Sequence, residues 1–361
     1  RLYQICKESY LHKMQVANGY LDVESAAVQA PRRSNNMLKA VGMALVFVFF
    51  CCVRAIHPTI IAASKSKLPD GSLGYAYQPA GPVILKNCIV CLCVQPITLA
   101  LHGVKGWQQN WTPKPLIVFG VNGALFALDD YLEMASLSKM HGAAYQILNQ
   151  SKILITALLW IPLKGVYQTR LQWMLLTSLV VAMSIYMTIS KGSSGSERDI
   201  PLVAYLFTVM KVTISCLAGV YTDKYAKDYA KAVPLPVQLT QTYLARVIVA
   251  FALSFCSPQL WTNGFFEGWD ARTVAATLSF CVKSSMSFTV LAVLDAILKN
   301  IAECVAVLMI FFYDVFAPWV DFKFDLTLFL SVMMILIAIG AYIDSKELIQ
   351  KAKKYDESCR Q

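Results

Sequence analysis

Apolar positions along this chain come in long continuous blocks, not in the alternation of a half-buried strand or the narrow stripe of a surface helix. Ten such windows can be drawn, at residues 37–57, 79–101, 116–138, 142–163, 171–190, 201–222, 235–256, 272–294, 297–317 and 325–344. Each is close to the roughly 20 residues that a helix needs to cross the hydrocarbon core of a bilayer. Backbone groups facing lipid have no water to bond, so helices are the element that fits blocks of this length. Turn and charge signals separate them, among them LPDGS at 68–72, KGSSGSERD at 191–199 and TDKYAKDYAK at 222–231. The stretches 116–163 and 272–317 run almost unbroken through two windows each, which predicts two tight helical hairpins.

The pattern therefore predicts an all-α polytopic membrane protein with ten transmembrane helices. A polar tail, 1–36, would precede five helices within 37–190, and five more within 201–344 would lead to a basic tail, 345–361. An odd number of spans in each half gives the halves opposite topology, the inverted-repeat plan of transporters with a site at the midplane. Composition agrees, with 57% apolar and only 15% charged residues and a mean hydropathy of +0.52, against about 25% charged in soluble domains. A porin-like barrel is excluded, because its strands would alternate over ten-residue segments.

The net charge of +10 does not point to nucleic acid, since the basic residues are scattered and form no block. Lysine and arginine instead concentrate on alternate connections, both tails among them, which by the positive-inside rule places both termini in the cytosol. Trp107, Trp111, Trp160, Trp173, Trp261, Trp269 and Trp319 lie near window ends, as an interfacial aromatic belt would. The sequon Asn110-Trp111-Thr112 falls in a cytosolic loop of this topology and should stay bare. The stretch PRRSNN at 31–36 belongs to no secretory signal, although a processed N-terminus, with Arg1 first, would leave a plastid open.

Chemistry enters through polar residues inside the windows. Tyr145, Gln146, Asn149, Gln150 and Lys152 crowd the fourth window. Helical spacing puts Tyr145, Asn149 and Lys152 on one face, with Gln146 and Gln150 flanking it. A lysine near the bilayer centre costs roughly 2.5–3.5 kcal/mol, so it must face protein or a wet cavity. Interhelical hydrogen bonding is one account of the cluster. We favour a cavity for an anionic, hydrogen-bonding substrate, with phosphate as the natural partner of a lysine point charge.

Asp129, Asp130 and Glu133 in the third window are equally costly. They would form a proton or cation pathway, accept from substrate hydroxyls, or pair with an embedded base such as Lys152, Lys86, Lys211, Arg246 or Lys283. Asp295 and Lys299, four apart, read as an intrahelical pair. Nucleotide-loop, zincin and dinucleotide motifs are missing, and His12, His57, His102 and His141 are too dispersed for a catalytic dyad. Cys88, Cys91 and Cys93 lack the partners of a zinc site. The expectation is a protein that is no enzyme and takes no cofactor or metal.

The stretch GALFALDDYLEMASLSKMHGAAYQILNQSKILITALLWIPLKG at 123–165 resembles the third and fourth helices of nucleotide-sugar transporters, the group of the CMP-sialic acid and UDP-galactose carriers. Their fourth helix reads A-x-Y-Q-x-x-x-Q-x-K-I after a run ending in A-L-S; here AAYQILNQSKI follows ASLSK. CLAGVYTDKYAK at 216–227 and LDAILKNIAECVA at 294–306 resemble the A-G-V-Y-x-E-K and D-N-I-x-K segments of that family, and the likeness extends across most of 116–344. It implies the ten-helix inverted-repeat fold of the drug/metabolite transporter superfamily. It also implies that Lys152 and Lys299 meet nucleotide phosphates, that Tyr145, Gln146 and Gln150 belong to the motif, and that Thr156 and Tyr243 line the cavity. Where the family has Q-N-N this chain has Asp129, Asp130 and Tyr131; a family tyrosine becomes Phe126, and an asparagine near Leu239 is lost. Acids beside a phosphate site repel the ligand unless they are protonated or paired.

The resemblance implies an antiporter that exchanges a nucleotide sugar for a nucleoside monophosphate across an endomembrane, Golgi or ER, by alternating access. A carrier of another phosphorylated solute and a non-transporting subunit of a larger membrane complex are the alternatives. Whether the chain is a homodimer or has other membrane partners stays open.

Overall fold

A computed structural model describes residues 30–67, 73–139, 142–190, 202–316 and 326–360. The described residues form twelve helices and a two-residue β-ladder. In order these are α1 (Ala30–Ala63), β1 (Ser66–Lys67), β2 (Leu73–Gly74), α2 (Ala80–Gln109), α3 (Pro113–Lys139), α4 (Gly142–Gln150), α5 (Lys152–Lys164) and α6 (Arg170–Ser190). There follow α7 (Leu202–Asp228), α8 (Leu235–Ser254), α9 (Gln259–Thr262), α10 (Ala271–Val293), α11 (Ala296–Phe316) and α12 (Leu326–Arg360). The chain divides into the units Arg1–Phe49 and Phe50–Gln361. Within the first, Val41, Leu45 and Val48 on α1 are exposed. All contacts below lie within the second.

Among the described residues, eight helices are long and apolar enough to cross a membrane, and the chain is a polytopic membrane protein. Its burial pattern is that of a protein dissolved in lipid. Leu92, Ile117, Leu202 and Ile337 lie open on the outside, while Lys86, Asn87, Lys211 and Asp223 are buried. Lipid tails give no hydrophobic drive to helix association, so close backbone packing takes its place. Gly123 provides such a contact: a Cβ there would sit 2.2 Å from the Thr242 carbonyl oxygen of α8.

Every apolar window holds helix, but several boundaries move. The window 142–163 is two short helices, because the Ser151 N–H bonds back to the Leu148 carbonyl at 3.2 Å and its hydroxyl donates to the same oxygen at 2.6 Å. That three-residue closure tightens the turn. The loop expected at 102–115 is largely helix: α2 runs to Gln109 across a kink at Gly103, whose φ of 63° suits glycine. Helix α7 continues to Asp228 and α12 to Arg360. Trp160 departs from the aromatic belt; it is buried, with Lys164 Nζ 4.8 Å from its ring. Trp319 and the Gly/Ser loop at 191–200 lie outside the described residues.

Connections meet in two groups. In one, the segment before α2 meets the α9–α10 connection: Tyr77 packs on Trp269, and Gly268 passes so close to Ala76 that a Cβ would lie 2.1 Å from its carbonyl oxygen. Asp270 there caps α10, and two hydrogen bonds from Thr273 hold its carboxyl below the ordinary aspartate range. In the other group, buried Asp223 accepts from Lys164 Nζ at 2.6 Å, Lys227 Nζ at 2.5 Å and the Ala296 backbone N–H at 3.2 Å. It thereby caps α11 and ties it to α5 and α7. The side-chain amide of Gln241 donates to the carbonyls of Gln109 and Asn110.

Candidate functional site

The polar face of α4 and α5 is where the interior opens. Tyr145, Asn149, Gln150 and Lys152 line a cavity of about 240 Å³, completed by residues of α1, α3, α7, α10 and α11 and by Lys65 and Tyr75 beside the β-ladder. A smaller space of about 40 Å³ adjoins it and shares Arg54, Glu133, Lys152, Lys211, Lys283 and Glu303. Asp129, Asp130, Arg246 and Lys299 are added in its wall. Most of these helices bring ionisable residues to the walls, α3 three of them, Asp129, Asp130 and Glu133. The fold gathers them around the two adjoining spaces.

Ion pairs order the gathering. Asp130 is held by Lys86 at 2.5 Å and by Arg246 at 3.4 Å. Glu133 bridges Lys211 at 3.2 Å and Lys283 at 3.3 Å. Asp129 lies 3.8 Å from Lys211 and accepts from the Ser215 hydroxyl at 3.3 Å. Glu303 meets Arg54 at 2.8 Å and pairs with Lys299. Aromatic faces support the same cations: Lys86 and Lys283 lie over the Phe280 ring at 3.9 and 4.2 Å, and Arg246 over Phe126 and Tyr243 at 4.6 and 4.7 Å. Lys152 is 5% exposed and has no ion-pair partner among the described residues. The walls thus carry more bases than acids, and the unmatched charge is positive.

The structure brings Lys152, Tyr145, Asn149 and Gln150 to the cavity and Lys299 to the smaller space beside it. Asn149 accepts from Lys211 Nζ at 3.4 Å. Asp130 reaches only the smaller space. The side chain of Gln146 lies outside the described residues. Thr156 and Tyr243 depart from the expectation of cavity-lining roles. Thr156 is buried behind the wall, accepting from Asn300 Nδ2 at 2.8 Å, and Tyr243 is fully buried beneath Arg246. The pairing expected between Asp295 and Lys299 is also replaced: Asp295 pairs with Lys346 of α12 and accepts from the Leu298 N–H, while Lys299 turns to Glu303. An aspartate just before a helix is drawn to the free N–H groups of its first turn, which takes it away from the residue four ahead.

Sequence reasoning missed Arg54 and Glu303. The signal was present in both, an ionisable residue inside an apolar window. His57, set aside for want of a partner, lines the cavity stacked on Phe280, with Nδ1 3.0 Å from the Ser279 hydroxyl.

Comparison with known proteins adds a lineage to this geometry. A family model described as nucleotide-sugar transporter matches residues 107–343. The UDP-N-acetylglucosamine transporter of Rattus norvegicus is 24% identical over 237 residues, covering 64% of this chain and 72% of its own length. The UDP-galactose/UDP-N-acetylglucosamine transporter srf-3 of Caenorhabditis elegans is 20% identical over 310 residues, 84% of this chain and 83% of that protein. CMP-sialic acid transporter 1 of Arabidopsis thaliana is 21% identical over 309 residues, 80% and 88% of the two chains. A crystal structure 13% identical in sequence superposes with a TM-score of 0.60 over 83% of this chain and 97% of its own, a likeness of fold alone.

Proposed function

The chain belongs to the nucleotide-sugar transporter family, and from that premise we propose that it carries a nucleotide sugar across an endomembrane in exchange for a nucleoside monophosphate. The observation that carries the reading is Lys152, a buried lysine in a cavity wall with no ion-pair partner among the described residues. A phosphate would supply the missing charge, which is the circumstance in which burying a lysine in a membrane is worth its cost. Lys299 would take part from the adjoining wall, and Tyr145, Asn149 and Gln150 would orient sugar or base.

In this reading the chain has ten transmembrane helices in two inverted repeats, with both termini in the cytosol. Transport proceeds by rocking one half against the other around the midplane, in Golgi or ER membranes. Cargo of the kind named for the relatives, uridine- or cytidine-linked sugars, is the first to test. A second reading, another phosphorylated solute on the same fold, is favoured by one observation. The acids that replace the family's amides are tied up by Lys86, Arg246 and Lys211, so this wall offers a different set of donors and acceptors.

Counterflow into proteoliposomes loaded with nucleoside monophosphate is the test. Uptake of one labelled nucleotide sugar, competed by its own monophosphate, is expected. Uptake of phosphorylated solutes lacking a base would move the assignment to the second reading. No exchange of any such solute by folded protein would leave a non-transporting subunit.

A further inference from the structure

Glu303 and Glu133 are carboxylates of the cavity wall that each hold two bases. Glu303 sits one turn after Lys299 on α11, pairs with it, and reaches across to Arg54 of α1 at 2.8 Å. Its side chain and that of Arg54 are 13% and 18% exposed, so both charges are largely out of solvent. Both residues line the main cavity and the smaller space beside it, and Lys152 is in the same two walls. Other acids of this centre are committed elsewhere: Asp130 to Lys86 and Arg246, Glu133 to Lys211 and Lys283. Glu303 is thus the acid that holds Lys299, the lysine assigned with Lys152 to the ligand phosphate, and it holds Arg54 as well.

We propose that Glu303 is an internal substitute for the ligand's phosphate, occupying Arg54 and Lys299 while the cavity is empty and yielding them when an anion enters. The argument rests on the assignment of Lys152 and Lys299 to a ligand phosphate made above. An empty cavity with Arg54, Lys299 and Lys152 all unpaired would carry three buried positive charges, which is costly. A carboxylate on the same helix as one of them pairs with two of the three, Arg54 and Lys299, and lowers that cost. The same carboxylate then competes with any incoming anion, because the ligand gains only the difference between its own attraction to the bases and that of Glu303. Affinity is held down, and the returning carboxylate helps to expel the ligand. Glu303 in this account sets affinity and release and does not itself hold the ligand.

The sign of one substitution tests this. Glu303→Gln keeps the shape and removes the charge. Calorimetric titration of the full chain in detergent with uridine monophosphate, and separately with inorganic pyrophosphate, is expected to give about tenfold tighter binding of each than in the unaltered protein, a difference of about 1.4 kcal/mol. Melting without ligand should fall while the rise on adding ligand grows, and exchange in proteoliposomes should slow. A purely structural glutamate would give weaker binding on removal, so equal or weaker binding by folded Glu303→Gln overturns the inference. Should that variant fail to fold, Glu303→Asp, which keeps the charge but withdraws it by one methylene, is expected to bind about threefold tighter, and unchanged or weaker binding there is equally decisive. If pyrophosphate binds and tightens while nucleotides do not bind, the competition stands and the nucleotide assignment falls. If the unaltered protein binds neither, both fall.

Discussion

Lys86 and Lys152 are both lysines in apolar windows of the chain, both buried, and their surroundings are opposite. Lys86 is fully enclosed, 2.5 Å from Asp130, with the Phe280 ring beneath it and no place in either cavity wall. Lys152 faces both cavities and has no acid partner among the described residues. The cost of a membrane lysine is met in one case by the protein and in the other is left for something else to meet. The contrast separates a charge that holds the fold from one that waits for a ligand. Hydropathy alone cannot make that distinction, since both lie in windows of the same character.

Breaking the enclosed pair should have the largest effect. Asp130→Asn leaves Lys86 and Arg246 facing an amide, and removal of one partner from a buried pair costs roughly 3–5 kcal/mol. The variant restores the asparagine of the family pattern, yet a marked fall in melting temperature with no tightening of nucleotide binding is expected. Tighter binding at unchanged melting temperature would mean that Asp130 repels the ligand and that its ion pairs are incidental.

Lys152→Ala is the complementary break. An unpaired buried charge contributes no stability, so the variant should melt at the same temperature or higher. Binding of a phosphorylated ligand should fall by roughly 2–5 kcal/mol, the loss usual for truncating one side of a buried charge contact. A variant that melts much earlier with its affinity intact would make Lys152 structural and erase the contrast.

Between the charge effects and the smallest one lies packing. Gly123→Val would force a side chain against the Thr242 carbonyl, where even a Cβ comes within 2.2 Å. Overpacking of this kind costs roughly 1–3 kcal/mol. Because α3 carries Asp129, Asp130 and Glu133, the strain should weaken the acid network together with the fold, visible as a lower melting temperature at neutral pH. A Gly123→Ala variant that melts unchanged would show that α3 and α8 separate freely.

Helix positions and the polar face of α4 and α5 could be read from the sequence, because length, hydropathy and the periodicity of Tyr145, Asn149 and Lys152 are local properties. The pairing of acids with bases could not. Asp130 finds Lys86 and Arg246, 44 and 116 positions away, and each acid had several bases as eligible partners. The local rule failed where a nearer competitor existed: Asp295 turned to the open end of its own helix and to Lys346, leaving Lys299 for Glu303. Arg54 escaped notice because a single charge hardly disturbs the hydropathy of a 21-residue window.

The smallest expected effect concerns Tyr243, the residue for which family likeness and geometry disagree most. The likeness makes it a wall of the cavity; the structure buries it completely among Val90, Val94 and Cys281. Its ring lies 4.7 Å from the Arg246 guanidinium. What it supplies is therefore a π face that helps to hold Arg246 against Asp130, and phenylalanine supplies the same face. Tyr243→Phe should change stability by less than roughly 0.5 kcal/mol, as substitutions that spare packing and partnered groups do. Nucleotide affinity should change less than about threefold, which is the same energy expressed as binding. Tyr243→Ala removes the ring, loosens Arg246 and should resemble a mild Asp130→Asn, lowering the melting temperature first. If Tyr243→Phe instead loses tenfold or more in affinity with its melting curve intact, the hydroxyl reaches the ligand. Helix α8 would then have to turn toward the cavity during transport, and the division between enclosed and ligand-facing groups would hold for this conformation only.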